Sequence, residues 1–421
     1  MFKKESTKRI MTIVACFIMV MISLGFTSST KSLFPDEIAK ALDTERSLVS
    51  IGESCRYIAT AIVNIFFGFL VVKFGAKKLV LGGFISLIAS MSLYSIANNL
   101  VVIYIAGALL GVGLSFTATT MVGYVVGKWC TKNKGTIMGA VLAANGIGGA
   151  IAIQIAGGLI DPEVVGSYRA AYRMIAIVLA IAAVIIMLLM REKKDETETS
   201  AEKAKPKKAK RGESWVGMEF SDAIKKWYFW GALVCIFLSG FILQGTHSIV
   251  AMHYKDVGID YAAVKSFLSF SSLILVSAKF LTGFIYDRAG LRITASICIF
   301  TGFISTVILA LTSGNATGFT LAIIFAVISP YSMPLETVML PIYANDLFGE
   351  KAFSKALGIF VSVNTAGYAV GAPVLNLCFD IFGSYVPALL ITAGLMFANL
   401  ILVQFVISAA HKGKVKIESE I

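Results

Sequence analysis

The chain has 421 residues, of which 57% are hydrophobic and only 15% charged. An average soluble protein is roughly 25% charged, and no soluble core could hide this much apolar surface, so the solvent for most of the chain is lipid. The net charge of +12 raises nucleic acid as a partner, but the placement of the basic residues, given below, argues for a topology signal instead.

Runs of at least 18 apolar residues recur throughout, each long enough to cross roughly 30 Å of hydrocarbon as a helix. In chain order they predict twelve spans near 10–33, 47–72, 78–97, 100–127, 134–160, 169–190, 228–252, 264–286, 292–312, 318–342, 355–381 and 385–409. Lys3, Lys4, Lys8 and Arg9 ahead of span 1 give it the look of a signal peptide. No small-x-small cleavage site follows, and eleven more spans do, so span 1 is expected to be retained. Residues 191–226 form the one long polar stretch, with Lys-Pro-Lys-Lys-Ala-Lys-Arg at 205–211. It reads as a solvated linker with affinity for anionic head groups, followed from Trp215 by a short interfacial helix. The expected organisation is an N-terminal bundle over 1–190, a linker over 191–227 and a C-terminal bundle over 228–421.

The N-terminus, the even-numbered connections and the C-terminus carry 28 of the 37 Lys and Arg residues. The odd-numbered connections carry seven: Lys31, Lys40, Arg46, Arg169, Arg173, Lys255 and Lys265. That bias predicts a multi-pass protein of the cell membrane with both termini cytoplasmic. Six scattered cysteines and three histidines offer no disulfide framework and no metal set. No cofactor is implied.

An internal repeat supports the division into halves. Residues 68–77 (Gly-Phe-Leu-Val-Val-Lys-Phe-Gly-Ala-Lys) match residues 283–292 (Gly-Phe-Ile-Tyr-Asp-Arg-Ala-Gly-Leu-Arg) at an offset of 215. Gly139, Asn145 and Gly148 in span 5 match Gly358, Asn364 and Gly367 in span 11 at an offset of 219. Two related six-helix bundles around a midplane site are how many transporters are built.

The segment Gly283-x-x-x-Asp287-Arg288-x-Gly290-x-Arg292, in a short turn between spans 8 and 9, resembles the signature loop of the major facilitator superfamily. The resemblance implies an all-α fold of about twelve spans in two pseudo-symmetric six-helix bundles. It also implies a conformational gate at Gly283, Asp287, Arg288, Gly290 and Arg292, the glycines bringing helices together while Asp287 and Arg288 bridge helix ends. The first-half copy departs from the pattern, with Val72 where the acid belongs. Within the superfamily, several pieces are similar to the monocarboxylate and oxalate–formate branch. These are Gly25-Phe-Thr-Ser-Ser-Thr-Lys31-Ser, the run His247–Asp260, Ala278-Lys279-Phe-Leu-Thr-Gly283 and the run Leu340–Gly349. Two departures stand out: Leu275 occupies the place of the Asp that mammalian monocarboxylate transporters carry before the span-8 cation, and the lysine that the oxalate–formate exchanger carries deep in span 11 has no counterpart, the nearest being Lys355 at the cytoplasmic start while the interior holds Asn364.

Charges inside a membrane are costly and usually face a cavity. Lys279 lies eight residues before Asp287, about 12 Å above the turn, beyond the roughly 6 Å that a lysine can snorkel. It is expected to attract an anion or, alternatively, to pair permanently with Glu336 in span 10. Arg56 could hold a carboxylate through two hydrogen bonds or be neutralised by Glu53 one turn away. Lys31 is open between an interfacial lysine and a substrate contact. His247 is expected to be a hydrogen-bonded structural residue, or else a proton carrier. Pro330, Pro334 and Pro341 interrupt span 10 around Tyr331 and Glu336, making it a candidate moving element. Gly111 and Gly113 in span 4, with Gly146, Gly148 and Gly149 in span 5, read as close-packing surfaces, and no Walker pattern points to ATP.

Together these features predict a secondary carrier of a small mono- or dicarboxylate such as lactate, pyruvate, formate or oxalate. It would work by alternating access, with proton symport or exchange against a counter-anion. The expected substrate contacts are Lys279, Arg56, Lys31, Glu336, Tyr331, Asn364 and His247. The alternatives are a carrier of a drug or sugar, for which an uncharged or acidic cavity is expected, and a membrane sensor that has lost transport. An enzyme is not expected, since no nucleophile–base set appears.

Overall fold

Lipid offers a backbone no hydrogen-bond partner but itself. The computed structural model, which describes residues 2–129, 134–191 and 217–419, answers with helices and no strand among those residues. In order they are α1 (Phe2–Ser28), the short α2 (Pro35–Leu42), α3 (Arg46–Phe74), α4 (Ala76–Ile96), α5 (Leu100–Thr117), α6 (Thr119–Trp129), α7 (Lys134–Gly158) and α8 (Tyr168–Leu189). After the linker come α9 (Phe220–Ala223), α10 (Trp227–Asp256), α11 (Tyr261–Ala310), α12 (Ala316–Ile328), α13 (Met339–Phe382) and α14 (Val386–Ser419). Eleven stretches are long and apolar enough to cross a membrane. One of them, α11, has 50 residues and turns back at Gly290, so the chain makes twelve passes.

The two halves repeat one another at the turns that matter. Gly75 ends α3 with φ +80°, and its counterpart Gly290 turns α11 with φ +75°. Both lie in the region that side chains disfavour. Tight helix contact repeats as well. A Cβ on Gly148 of α7 would strike the Met21 carbonyl of α1, and one on Gly367 of α13 would strike the Phe237 carbonyl of α10. A Cβ on Gly111 would likewise meet the Arg56 carbonyl of α3, so these glycines seat helices against one another. Gly283 does not: nothing lies within 4 Å of where its Cβ would be. The close approach expected of it is absent, and in this loop only Gly290 is required by backbone geometry.

Three passes are broken near their middle or far end. Span 1 leaves α1 at Ser28 and resumes as a 3-10 turn, Lys31–Leu33. Span 4 breaks between α5 and α6. Span 10 is interrupted by 3-10 turns at Ser329–Tyr331 and Met333–Glu336 before helix resumes at Met339. Pro330 and Pro334 each remove a backbone donor there. The span does not end near 342 as expected, but continues to the turn at Gly349, φ +76°. The interfacial helix expected after Trp215 is a single turn, Phe220–Ala223, while the basic run 205–211 and most of the linker lie outside the described residues.

The apolar core is not divided as the chain is. One core fills the N-terminal bundle and continues into the C-terminal bundle through residues 249–264, 309–325 and 375–389. A second, separate core holds residues 218–243, 291–299, 335–360 and 396–410. The shared stretches lie at the end of the molecule away from the termini, called here the far face. The terminal face is the end that carries the two termini and the Gly290 turn.

Candidate functional site

Hydrogen bonds between the bundles follow the same division. Those described below lie at mid-membrane or nearer the far face. At the far face Arg46, the first residue of α3, grips Asp36 of α2 and Asp256 of α10, the latter through Nη1 at 2.6 Å and Nη2 at 2.9 Å. Its guanidinium lies 4.2 Å from the centre of the Phe379 ring. Lys255 donates to Asp36 at 2.9 Å and to Glu37 at 2.5 Å, and Lys40 lies 3.1 Å from Asp36. Burial alone would raise the Asp36 carboxyl, but the Arg46 guanidinium and the Lys255 and Lys40 ammoniums outweigh it and hold the pKa down to about 2. Three further links cross here, one of them from the Ser54 hydroxyl of α3 to the Ala369 carbonyl of α13. The Ser47 amide donates to Asp380 Oδ2 at 3.1 Å, and Ser269 donates to the Ala150 carbonyl at 2.8 Å.

Below this seal, polar side chains meet where the broken spans converge. The 3-10 turn after α1 swings Lys31 inward, so that its ammonium donates to Gln244 Oε1 of α10. Tyr57 of α3 reaches the same oxygen at 3.4 Å. The Gln244 amide nitrogen donates to Glu336 Oε2 at 2.8 Å, and the Tyr368 hydroxyl donates to the Glu336 backbone carbonyl at 3.4 Å. Glu336 Oε1 is buried with no partner. A chain from Lys31 through Gln244 to Glu336 therefore ties the two bundles together about 25 Å along α10 from Trp227.

The expected site residues divide as follows. Lys31 is no interfacial lysine. Arg56, 6% exposed, pairs with Glu53 at 3.2 Å and donates to Ser28 at 2.6 Å, with the Tyr57 ring centre 5.0 Å away. Lys279 has no hydrogen bond or ion pair among the described residues, although Glu336 is the acid whose charge acts on it. Its neighbour Phe280 is 80% exposed and faces lipid. The permanent Lys279–Glu336 pair is therefore not formed in this state. Asn364 is not brought to the others: its amide donates to the Ile236 carbonyl at 3.1 Å, which fixes α13 against α10 instead of lining a cavity. His247 is not hydrogen-bonded as expected, since its Nε2 is buried without a partner. Tyr331 sits half-buried on the first 3-10 turn of span 10.

At the terminal face the signature loop makes few contacts. Arg288 lies over its own Phe284 ring, 4.0 Å from the centre, and Arg292 donates to Gln404 at 2.8 Å. Asp287 has no hydrogen bond or ion pair among the described residues. The acid that is engaged nearby is Asp346, which accepts from Tyr286 at 2.9 Å.

The sequence reading missed Gln244, Tyr57, Tyr368 and the whole far-face cluster. A lone amide in the otherwise apolar middle of α10 was a usable signal for Gln244. From the sequence Arg46 reads only as a loop cation, and nothing in its spacing from Asp36 and Asp256 shows that they meet. A charged group in the bilayer centre costs about 2.5–3.5 kcal/mol. Lys31, Arg56, Lys279, Glu53 and Glu336 are tolerable at this depth because they share one polar region at the junction of the bundles. Such a region, closed on one face, can bind and release a charged solute towards the other.

Known proteins resemble the chain in this arrangement. Residues 16–345 and 251–420 match the family described as the Major Facilitator Superfamily. The chain is 26% identical over 293 residues, 69% of each protein, to YcxA, an uncharacterized MFS-type transporter of Bacillus subtilis (strain 168). It is 22% identical over 351 residues to monocarboxylate transporter 12 of Rattus norvegicus, covering 78% of this chain and 70% of the relative. Among solved structures, the nucleoside transporter NupG superposes with a TM-score of 0.73 at 14% identity, over 96% of this chain and 99% of that one. A bacterial homolog to the human lysosomal transporter Spinster, inward-facing and unoccupied, gives a TM-score of 0.69 at 12% identity over 97% of both. At such identities the structural likeness carries the fold alone. The family match over most of the length, the twelve passes and the paired bundles agree: the chain belongs to the Major Facilitator Superfamily of membrane transporters.

Proposed function

We propose that the protein is a secondary carrier of a small organic anion, a mono- or dicarboxylate, moved by alternating access between the two bundles. The observation that carries this reading is the charge balance at the junction. Arg56 and Glu53 cancel as a close pair, which leaves Lys31 and Lys279 facing Glu336. One positive charge is then in excess, and Lys279 is without a partner. An arriving carboxylate would supply that partner and offset the cost of the lone ammonium. The resemblance to the monocarboxylate branch, and a relative named monocarboxylate transporter 12, support the same class of solute. The distribution of Lys and Arg supports placing the terminal face in the cytoplasm of a cell-membrane protein, so that this state is open inward.

Uptake of labelled lactate, pyruvate, formate and oxalate into proteoliposomes tests the reading, with a labelled nucleoside as the rival arm. Saturable carboxylate uptake is expected. Lys279→Ala should abolish it and Lys279→Arg should retain part, since both side chains present a cation. Because no Lys279–Glu336 pair exists to leave an orphan, Lys279→Ala combined with Glu336→Ala should stay inactive. Nucleoside accumulation without carboxylate uptake, or undiminished uptake by Lys279→Ala, would sink the proposal.

A further inference from the structure

Glu336 is a buried carboxylate with an incomplete set of partners. One oxygen accepts from Gln244, the other accepts from nothing, and no cation lies within ion-pair distance of either among the described residues. A carboxylate in that position is short of donors, and a proton is the smallest counter-ion that can complete it. The residue sits on the 3-10 turn where span 10 gives up its helical bonds, at the end of the Lys31–Gln244–Glu336 chain. Its charge is thus joined to both bundles. Resting on the carrier reading above, we propose that Glu336 is the proton site of this transporter, loaded once per anion moved.

The step balances simply. A hydronium ion reaching the junction gives up one O–H bond, and its proton forms an O–H bond at Glu336 Oε1, leaving water and a neutral carboxylic acid; no electrons change hands. With Glu336 ionised, Lys31, Lys279 and Glu336 together carry one positive charge. With Glu336 protonated they carry two, and a bound monocarboxylate returns the group to one. The empty and the fully loaded carrier therefore present the same charge to the low-dielectric interior while the bundles exchange sides. The two half-loaded forms do not, and reorientation of those forms is disfavoured. That asymmetry is coupling.

The groups facing Glu336 from each surrounding element are consistent with this role. Lys279 faces it from α11, Gln244 from α10, Tyr368 from α13, and Lys31 and Tyr57 from the other bundle. His247 is the rival proton acceptor, because its Nε2 is also unpartnered. A proton there would add a cation close to Lys31, whereas one on Glu336 removes an anion that nothing fully balances.

Two measurements on the full-length protein test the assignment, and they fail separately from the carrier reading. The first needs no substrate. Infrared difference spectra of the purified protein across a pH series should show the carbonyl stretch of a protonated carboxylic acid, absent in Glu336→Gln and shifted in midpoint in Glu336→Asp. The second uses proteoliposomes with a pH-sensitive dye inside. Wild type should move one proton per lactate, without response to membrane voltage. In Glu336→Gln, uptake driven by an imposed proton gradient should fall at least tenfold relative to lactate counterflow, while His247→Gln keeps the wild-type ratio. An unchanged infrared band in Glu336→Gln would overturn the proposal. So would an equal loss of driven uptake and counterflow, or loss of proton movement on changing His247 alone. If no carboxylate is transported by wild type at all, the carrier reading fails, and the infrared arm alone decides whether Glu336 takes the proton.

Discussion

The two ends of the bundle interface are held by different means. At the far face, Arg46 bridges Asp36 and Asp256, Lys255 answers Asp36 and Glu37, and one apolar core runs through both bundles. At the terminal face the cores are separate, Asp287 has no hydrogen bond or ion pair among the described residues, and Arg288 rests on a ring of its own helix. Alternating access needs both ends to close in turn, so neither seal can be much stronger than the other. The far-face seal is built from groups that are matched and partly wet: side-chain exposure is 12% at Arg46, 24% at Asp256 and 26% at Lys255. Charges of this kind hold a state without fixing it, because water replaces their partners when the bundles part.

The contrast is broken most severely by Arg46→Ala. Removing it leaves Asp36 and Asp256 without their shared guanidinium, which costs about 3 kcal/mol for a largely buried group, or roughly a hundredfold in the equilibrium between states. In a cysteine-free background, Ser54→Cys, at the α3 position whose hydroxyl donates to the Ala369 carbonyl below the seal, should then react with a polar maleimide far faster than with Arg46 present. No change in rate would show that the apolar core, not the ion pairs, closes this end.

At the other end, Asp287→Asn should leave substrate affinity nearly intact and slow turnover by roughly tenfold, about 1.4 kcal/mol. In the state described here Asp287 makes no hydrogen bond or ion pair among the described residues, so its expected role belongs to the state in which the terminal face is shut. Paired binding and flux assays separate the two. Lost affinity with unchanged turnover would remove Asp287 from the closing machinery.

The smallest effect concerns pH. The Asp36 carboxyl is depressed from 3.8 to about 2, so its contribution to the seal is fully present above 3.8 and is lost as pH falls from there towards 2. Maleimide reactivity of Ser54→Cys should therefore stay flat through the neutral range and rise only in strong acid. A transition near neutrality would point to a different group at the seal.

Much of this fold was legible because lipid imposes a simple rule. Twelve apolar runs became twelve passes, and the offset of 215 residues alone places Gly75 and Gly290 at equivalent turns. The site was less legible, for reasons visible at single residues. Lys31 looked like an edge lysine because a helix count carried it to the surface, whereas the chain leaves the helix at Ser29 and a 3-10 turn redirects the side chain. Asn364 looked like a cavity residue from its polarity and depth, yet its amide holds two helices together. Arg46, Asp36 and Asp256 lie 10 and 210 residues apart, and meet only because two bundles close on one another, a tertiary fact with no local signature.

One bond at the seal also offers a way of watching the molecule work. The first turn of α3 has no cap of its own, since the Glu45 side chain accepts nothing from it, and the Ser47 amide is satisfied by Asp380 from the opposite bundle. On the alternating-access reading proposed above, that amide is handed to solvent whenever the far face opens and shielded again whenever it shuts. Deuterium uptake by a peptide spanning residues 45–50 is therefore a clock set by the transport cycle itself. It would read the fraction of time spent open, with no covalent probe, no substitution and no knowledge of the substrate.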